Sequence, residues 1–62
     1  MTNDEAREAG RVACKAHNAT GYANAVTAFS DTLDARRRDL SAVIDAWTYG
    51  WMEVARALRK AE

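Results

Sequence analysis

The chain has no proline, a single cysteine and only three glycines among its 62 residues. Without proline no helix is forced to end, so any break must come from glycine or from side chains that compete for the backbone. Cys14 has no partner for an internal disulfide, and Cys14 and His17 are too few soft ligands for a zinc site within one chain. No apolar run approaches the roughly 20 residues that span a bilayer. The N-terminus shows neither a basic region followed by an apolar run nor the glycine that myristoylation needs. Neither sign of charge is in excess: nine Lys and Arg balance nine Asp and Glu. A global pull toward nucleic acid or anionic lipid is therefore absent. These absences predict one soluble, cytoplasmic domain with no membrane association, no metal and no cofactor. So short a chain lies near the lower limit for folding without a disulfide, a metal or a second subunit, and a homo-oligomer is expected.

What the chain does have is helical periodicity. From Leu40 to Leu58, the residues Leu40, Ile44, Trp47, Trp51, Val54 and Leu58 recur at alternating steps of four and three, which places both tryptophans on one helix face. Gly50 borders that face, where its missing side chain costs roughly 1 kcal/mol in helix propensity but admits a neighbouring backbone. Earlier, Thr2 and Glu5 fit a capping box that starts a helix near Asn3. Ala6, Ala9, Ala13 and Ala16 then form a stripe of small residues flanked by Gly10 and Val12, suited to close approach by the tryptophan helix. Asn18 to Gly21 supply turn chemistry, after which Tyr22, Val26, Phe29 and Leu33 resume helical spacing. Ser30, Asp31 and Thr32 favour caps over helix interiors and predict a break there. The reading is an all-α fold, a helical hairpin or three-helix bundle with helices at about 3–17, 21–30 and 32–60 in one domain over residues 1–62. One continuous helix from Tyr22 to about Lys60 satisfies the same spacing, because the apolar series barely loses phase across the break.

On the far side of the last helix, Asp45, Tyr49, Met52 and Arg56 follow one another at steps of four, three and four. Tyr, Met and Arg are enriched at interface cores, so this stripe is the expected site for a protein partner. Arg7, Arg11 and Lys15 recur every four residues on the face opposite the alanines, beside Asp4 and Glu8. Arg36, Arg37 and Arg38 form the only basic run, bracketed by Asp34 and Asp39. Both sets fit a solvated surface of ion pairs, and both fit a local nucleic-acid contact. His17 flanks the alanine face and is expected to be partly buried and hydrogen-bonded; no nucleophile elbow, phosphate loop or converging acid pair accompanies it. The function class that remains is a non-catalytic helical interaction protein without a small-molecule substrate. Phages and mobile elements encode such proteins, which bind and modulate or inhibit a larger host assembly, here as a homodimer.

The segment Trp47-Thr48-Tyr49-Gly50-Trp51, continued by Met52, Glu53, Val54 and Ala55, resembles the W-x-x-G-W-x-E-A signature in the second helix of the ribosome modulation factor family. Ala6-x-x-x-Gly10-x-x-Ala13 is similar to the small-residue pattern of that family's first helix. The resemblance implies a ribosome-binding protein that favours dimerised, inactive ribosomes, with Arg7, Arg11, Lys15, Arg36, Arg37 and Arg38 as its RNA contacts. The segment joining the two patches is longer here, the family's Cys-Pro-Tyr-like connection is absent since there is no proline, and the chain has lost the family's strongly basic character.

Overall fold

Thr2 opens the fold with reciprocal hydrogen bonds: its hydroxyl accepts the Glu5 N–H at 3.2 Å, and the Glu5 carboxylate accepts the Thr2 N–H at 3.2 Å. This capping box starts α1 (Asn3–Ala16) in a computed structural model that describes residues 1–60. The helix ends in a left-handed cap. The N–H of Asn18 (φ 51°) donates to the Lys15 carbonyl at 3.3 Å, and that of Ala19 (φ 59°) to the Cys14 carbonyl at 2.9 Å, the paired bonds of a Schellman motif. Gly21 (φ 68°) then turns the chain into α2 (Tyr22–Asp31).

The break after the second helix is real, and wider than the cap residues alone suggest. Thr32 caps α2, its hydroxyl donating to the Phe29 carbonyl at 2.6 Å. The third helix does not restart there: α3 spans Leu40–Lys60, so the continuous helix is ruled out and the expected start at residue 32 moves to Leu40. The cause is Asp34. Its carboxylate accepts the Arg36 N–H at 2.9 Å and its carbonyl accepts the Arg37 N–H at 3.0 Å, which holds the arginine run in a turn. Arg37 then grips the Asp39 carboxylate and reaches the Met1 carbonyl. Asp34 consequently does not pair along a helix with Arg37 or Arg38.

Helices α1 and α3 run in the same sense, since Arg37 before α3 meets Met1 before α1, and His17 at the end of α1 stacks on Trp51. They cross at two glycines with near-symmetric geometry. A Cβ built on Gly10 would stand 1.9 Å from the Trp47 carbonyl oxygen; one built on Gly50 would stand 1.9 Å from the Arg7 carbonyl oxygen. Each glycine lies three residues beyond the carbonyl that faces the other, so a local two-fold relates Arg7-x-x-Gly10 to Trp47-x-x-Gly50. Each glycine also turns an α-hydrogen toward the opposite carbonyl, the arrangement of a Cα–H···O contact.

This crossing decides the core. Ala6, Gly10 and Cys14 form the buried line of α1, with Ala9 and Ala13 half-buried beside it and Val12 and Ala16 exposed. The stripe is thus rotated from the all-alanine reading toward Gly10, because the closest backbone approach lies there. On α3, Val43, Trp47, Gly50 and Trp51 are buried, while Leu40, Ile44, Val54 and Leu58 are half-buried. Helix α2 has no buried residue. It lies on the outer side of the tryptophans, with Phe29 stacked on Trp47 at 5.5 Å and Tyr22 edge-on to Trp51 at 5.7 Å.

Candidate functional site

Past the glycine crossing, α3 carries Thr48, Met52, Ala55 and Arg59 along one side at steps of four, three and four, with Trp51 and Arg56 adjacent. Tyr22, the first residue of α2, stands against this side. Together these residues line an open pocket of about 380 Å³. The Thr48 hydroxyl donates to the Ile44 carbonyl at 3.0 Å. A hydroxyl has one proton, so across the 3.0 Å contact between the two hydroxyls it is Tyr22 that donates to Thr48. That bond fixes the Tyr22 ring against Trp47 and Trp51, which stack on each other at 5.4 Å.

The floor of the pocket is apolar, made by Trp51, Ala55 and Met52, and its rim carries the guanidinium groups of Arg56 and Arg59. Among the described residues neither arginine is in an ion pair. The other arginine-rich segments behave differently. Arg7 and Arg11 both reach Glu53, Arg11 at 2.9 Å, and Arg11 also reaches Glu8 at 3.0 Å. The ridge expected opposite the alanines therefore lies along the edge of the helix crossing, where one carboxylate of α3 draws two of its cations together; Lys15 stays exposed. In the Arg36 to Arg38 run, Arg37 is engaged by Asp39, whose carboxyl is held below the usual range first by that hydrogen bond, while the Arg37 guanidinium is raised correspondingly.

The outer stripe is divided. Met52 and Arg56 line the pocket, whereas Asp45 and Tyr49 lie outside it, Tyr49 at 63% exposure. No family model, curated protein or solved structure matches this chain. The geometry of this region is therefore the basis for a functional reading.

What the pocket can do chemically follows from its groups. Two guanidinium groups border an apolar floor and two hydroxyls, so the arrangement suits an anionic group attached to an apolar body. His17 is exposed rather than partly buried, because its place at the C-cap carries it past the crossing, and its ring stacks on Trp51 at 6.4 Å. Cys14 is fully buried, and burial pushes its thiol up from the ordinary value despite an opposing hydrogen bond from the Ala19 backbone. Among the described residues no three of His, Cys, Asp and Glu converge as metal ligands, and no helix is long and apolar enough to cross a membrane.

Spacing does not single out Thr48, Ala55, Arg59 or Tyr22. The series 48, 52, 55, 59 has the same rhythm as 45, 49, 52, 56, so periodicity alone gives no reason to choose it. The deciding fact is the position of Tyr22, 26 residues before Thr48 in the chain.

Proposed function

We propose that this chain is a small non-catalytic interaction protein that docks onto a larger assembly through the outer side of α3, with a protein as its direct partner. The supporting observation is the pocket floored by Trp51, Ala55 and Met52 and rimmed by Arg56 and Arg59, next to the exposed ring of Tyr49. Tyrosine supplies a rigid ring with a polar end, methionine adapts to irregular surfaces, and arginine pairs bidentately with carboxylates. Grouped on one helix side, they form a compact anchor of the kind a phage-encoded or mobile-element-encoded modulator needs.

The test is the triple substitution Tyr49→Ala, Met52→Ala and Arg56→Ala, assayed by thermal melting and by copurification from the native host. Abolished copurification with an unchanged melt supports this surface; full copurification by the folded variant overturns it.

A second reading, a ribosome or RNA binder of the ribosome modulation factor type, has one observation in its favour. The two patches that carry the resemblance meet each other at the Gly10 and Gly50 crossing. On this reading Lys15, Arg36 and Arg38 supply the phosphate contacts, since Glu53 and Asp39 engage the other basic residues. Binding would weaken steeply as salt rises and would disappear on nuclease treatment; salt-tolerant, nuclease-resistant capture favours the first reading.

A further inference from the structure

The pocket constrains the chemistry of what enters it. Its floor is a tryptophan edge, an alanine and a thioether, and its volume of about 380 Å³ exceeds what a single aliphatic side chain fills. Arg56 and Arg59 are three residues apart on the same helix, a rise of about 4.5 Å, so their guanidinium groups can meet two anionic groups about one helical turn apart. Trp51 is only 4% exposed, which leaves no open indole face on which a nucleobase could stack. Two cations are also few for gripping a phosphate backbone, where specific proteins neutralise about 6 to 10 phosphates.

Resting on the interaction-module reading above, we propose that the pocket recognises an acidic protein segment in which a large apolar side chain, seated on Met52 and Ala55 against the edge of Trp51, is flanked by carboxylates that pair with Arg56 and Arg59. Charge complementarity is the argument for this occupant. The chain's own carboxylates Glu8, Glu53 and Asp39 engage Arg7, Arg11 and Arg37, whereas among the described residues no carboxylate engages the pocket pair. The Tyr22 hydroxyl donates to Thr48, so its oxygen keeps its acceptor capacity for a backbone N–H of the bound segment.

The experiment is selection of a displayed random-peptide library on the full chain, followed by fluorescence anisotropy with a labelled peptide from the enriched set. Enriched sequences are expected to place Asp or Glu within one turn of Leu, Met, Phe or Trp. Amidating those acids should weaken binding about tenfold for each carboxylate–guanidinium pair removed. The double variant Arg56→Glu, Arg59→Glu, shown by circular dichroism to keep its helices, should release the peptide and bind instead a version whose acids are replaced by lysine. Val12→Glu, at an exposed position of α1 outside the pocket, should bind as the parent does. Enrichment of peptides without acids, no enrichment at all, or unchanged affinity in the folded double variant overturns the inference. The outcomes separate from those of the module reading. A native partner that still depends on Tyr49, Met52 and Arg56 while no acidic peptide is selected leaves that reading standing and removes this one.

Discussion

The two helical glycines and Ala19 show that glycine can be demanded by sterics at one position and favoured by backbone conformation at another. At Gly10 and Gly50 the backbone is ordinary helix, and the demand is steric: a Cβ would stand 1.9 Å from a carbonyl oxygen of the facing helix. That obstacle is backbone, so it cannot rotate aside, and relief requires the helices to separate. Gly10→Ala or Gly50→Ala should therefore lower stability by about 2–3 kcal/mol, although alanine gains roughly 1 kcal/mol in helix propensity. A thermal melt in which either variant melts higher than the parent would show that the helices do not meet there. At the end of α1 the reverse change is favoured. Ala19 holds φ 59°, in the left-handed region that costs a side-chain-bearing residue roughly 1–2 kcal/mol. Ala19→Gly should raise stability by about 0.5–1 kcal/mol, part of the relief being offset by the freer unfolded chain. Denaturant titration checks the sign.

Among the elements, α2 is held most lightly, by half-buried Ala25, Val26 and Phe29 packed against the core, ring contacts with the tryptophans and the hydroxyl bond from Tyr22 to Thr48. With no buried side chain of its own, it should exchange its amide hydrogens well before the centres of α1 and α3, which share the glycine crossing. Equal protection in all three helices would contradict this order. The starts of the other two helices depend on pH. Glu5 sits below its ordinary value of 4.5, chiefly through its hydrogen bond with the Thr2 backbone, and Asp39 below 3.8, chiefly through Arg37. A carboxyl lowered by folding adds stability that is complete above its unfolded value and is lost as pH falls through the folded one. Melting temperature should accordingly hold steady at neutral pH and decline only below about pH 4.5, and Glu5→Gln, which keeps the capping geometry, should flatten part of that decline. At this scale the sequence is informative. The break at Ser30 to Thr32 and the buried tryptophans follow from local rules of capping and period. The start of α3 does not, because Asp34 and the arginine run can form either a helix or a turn, and the competition is decided by Asp34 taking the Arg36 and Arg37 N–H groups into a turn while Arg37 is held by Asp39 and Met1. Cys14 is likewise not legible as core, since only the position of the facing helix shows which side of α1 turns inward.

For the whole molecule, what spacing cannot supply is contact between distant segments. Glu53 meets Arg7 and Arg11 across 46 and 42 residues, and the pocket exists only because Tyr22 comes to rest beside Thr48. The same argument bears on self-association. Fully buried side chains are few, with Ala6, Cys14, Val43, Trp47 and Trp51 forming the centre, so a second copy could add needed apolar burial. The inner faces of α1 and α3 already pack against each other within one chain, which leaves the outer side of α3 to meet a second copy, with Tyr49 at 63% and Met52 at 40% exposure. We expect dimerisation through that side, in competition with the external partner. Mass action then makes the melting midpoint rise with protein concentration, and Tyr49→Ala with Met52→Ala should abolish the rise while leaving the dilute-solution melt unchanged. Sedimentation equilibrium that finds only a 6.8 kDa species at high concentration would overturn the dimer and leave the outer side of α3 to the partner alone.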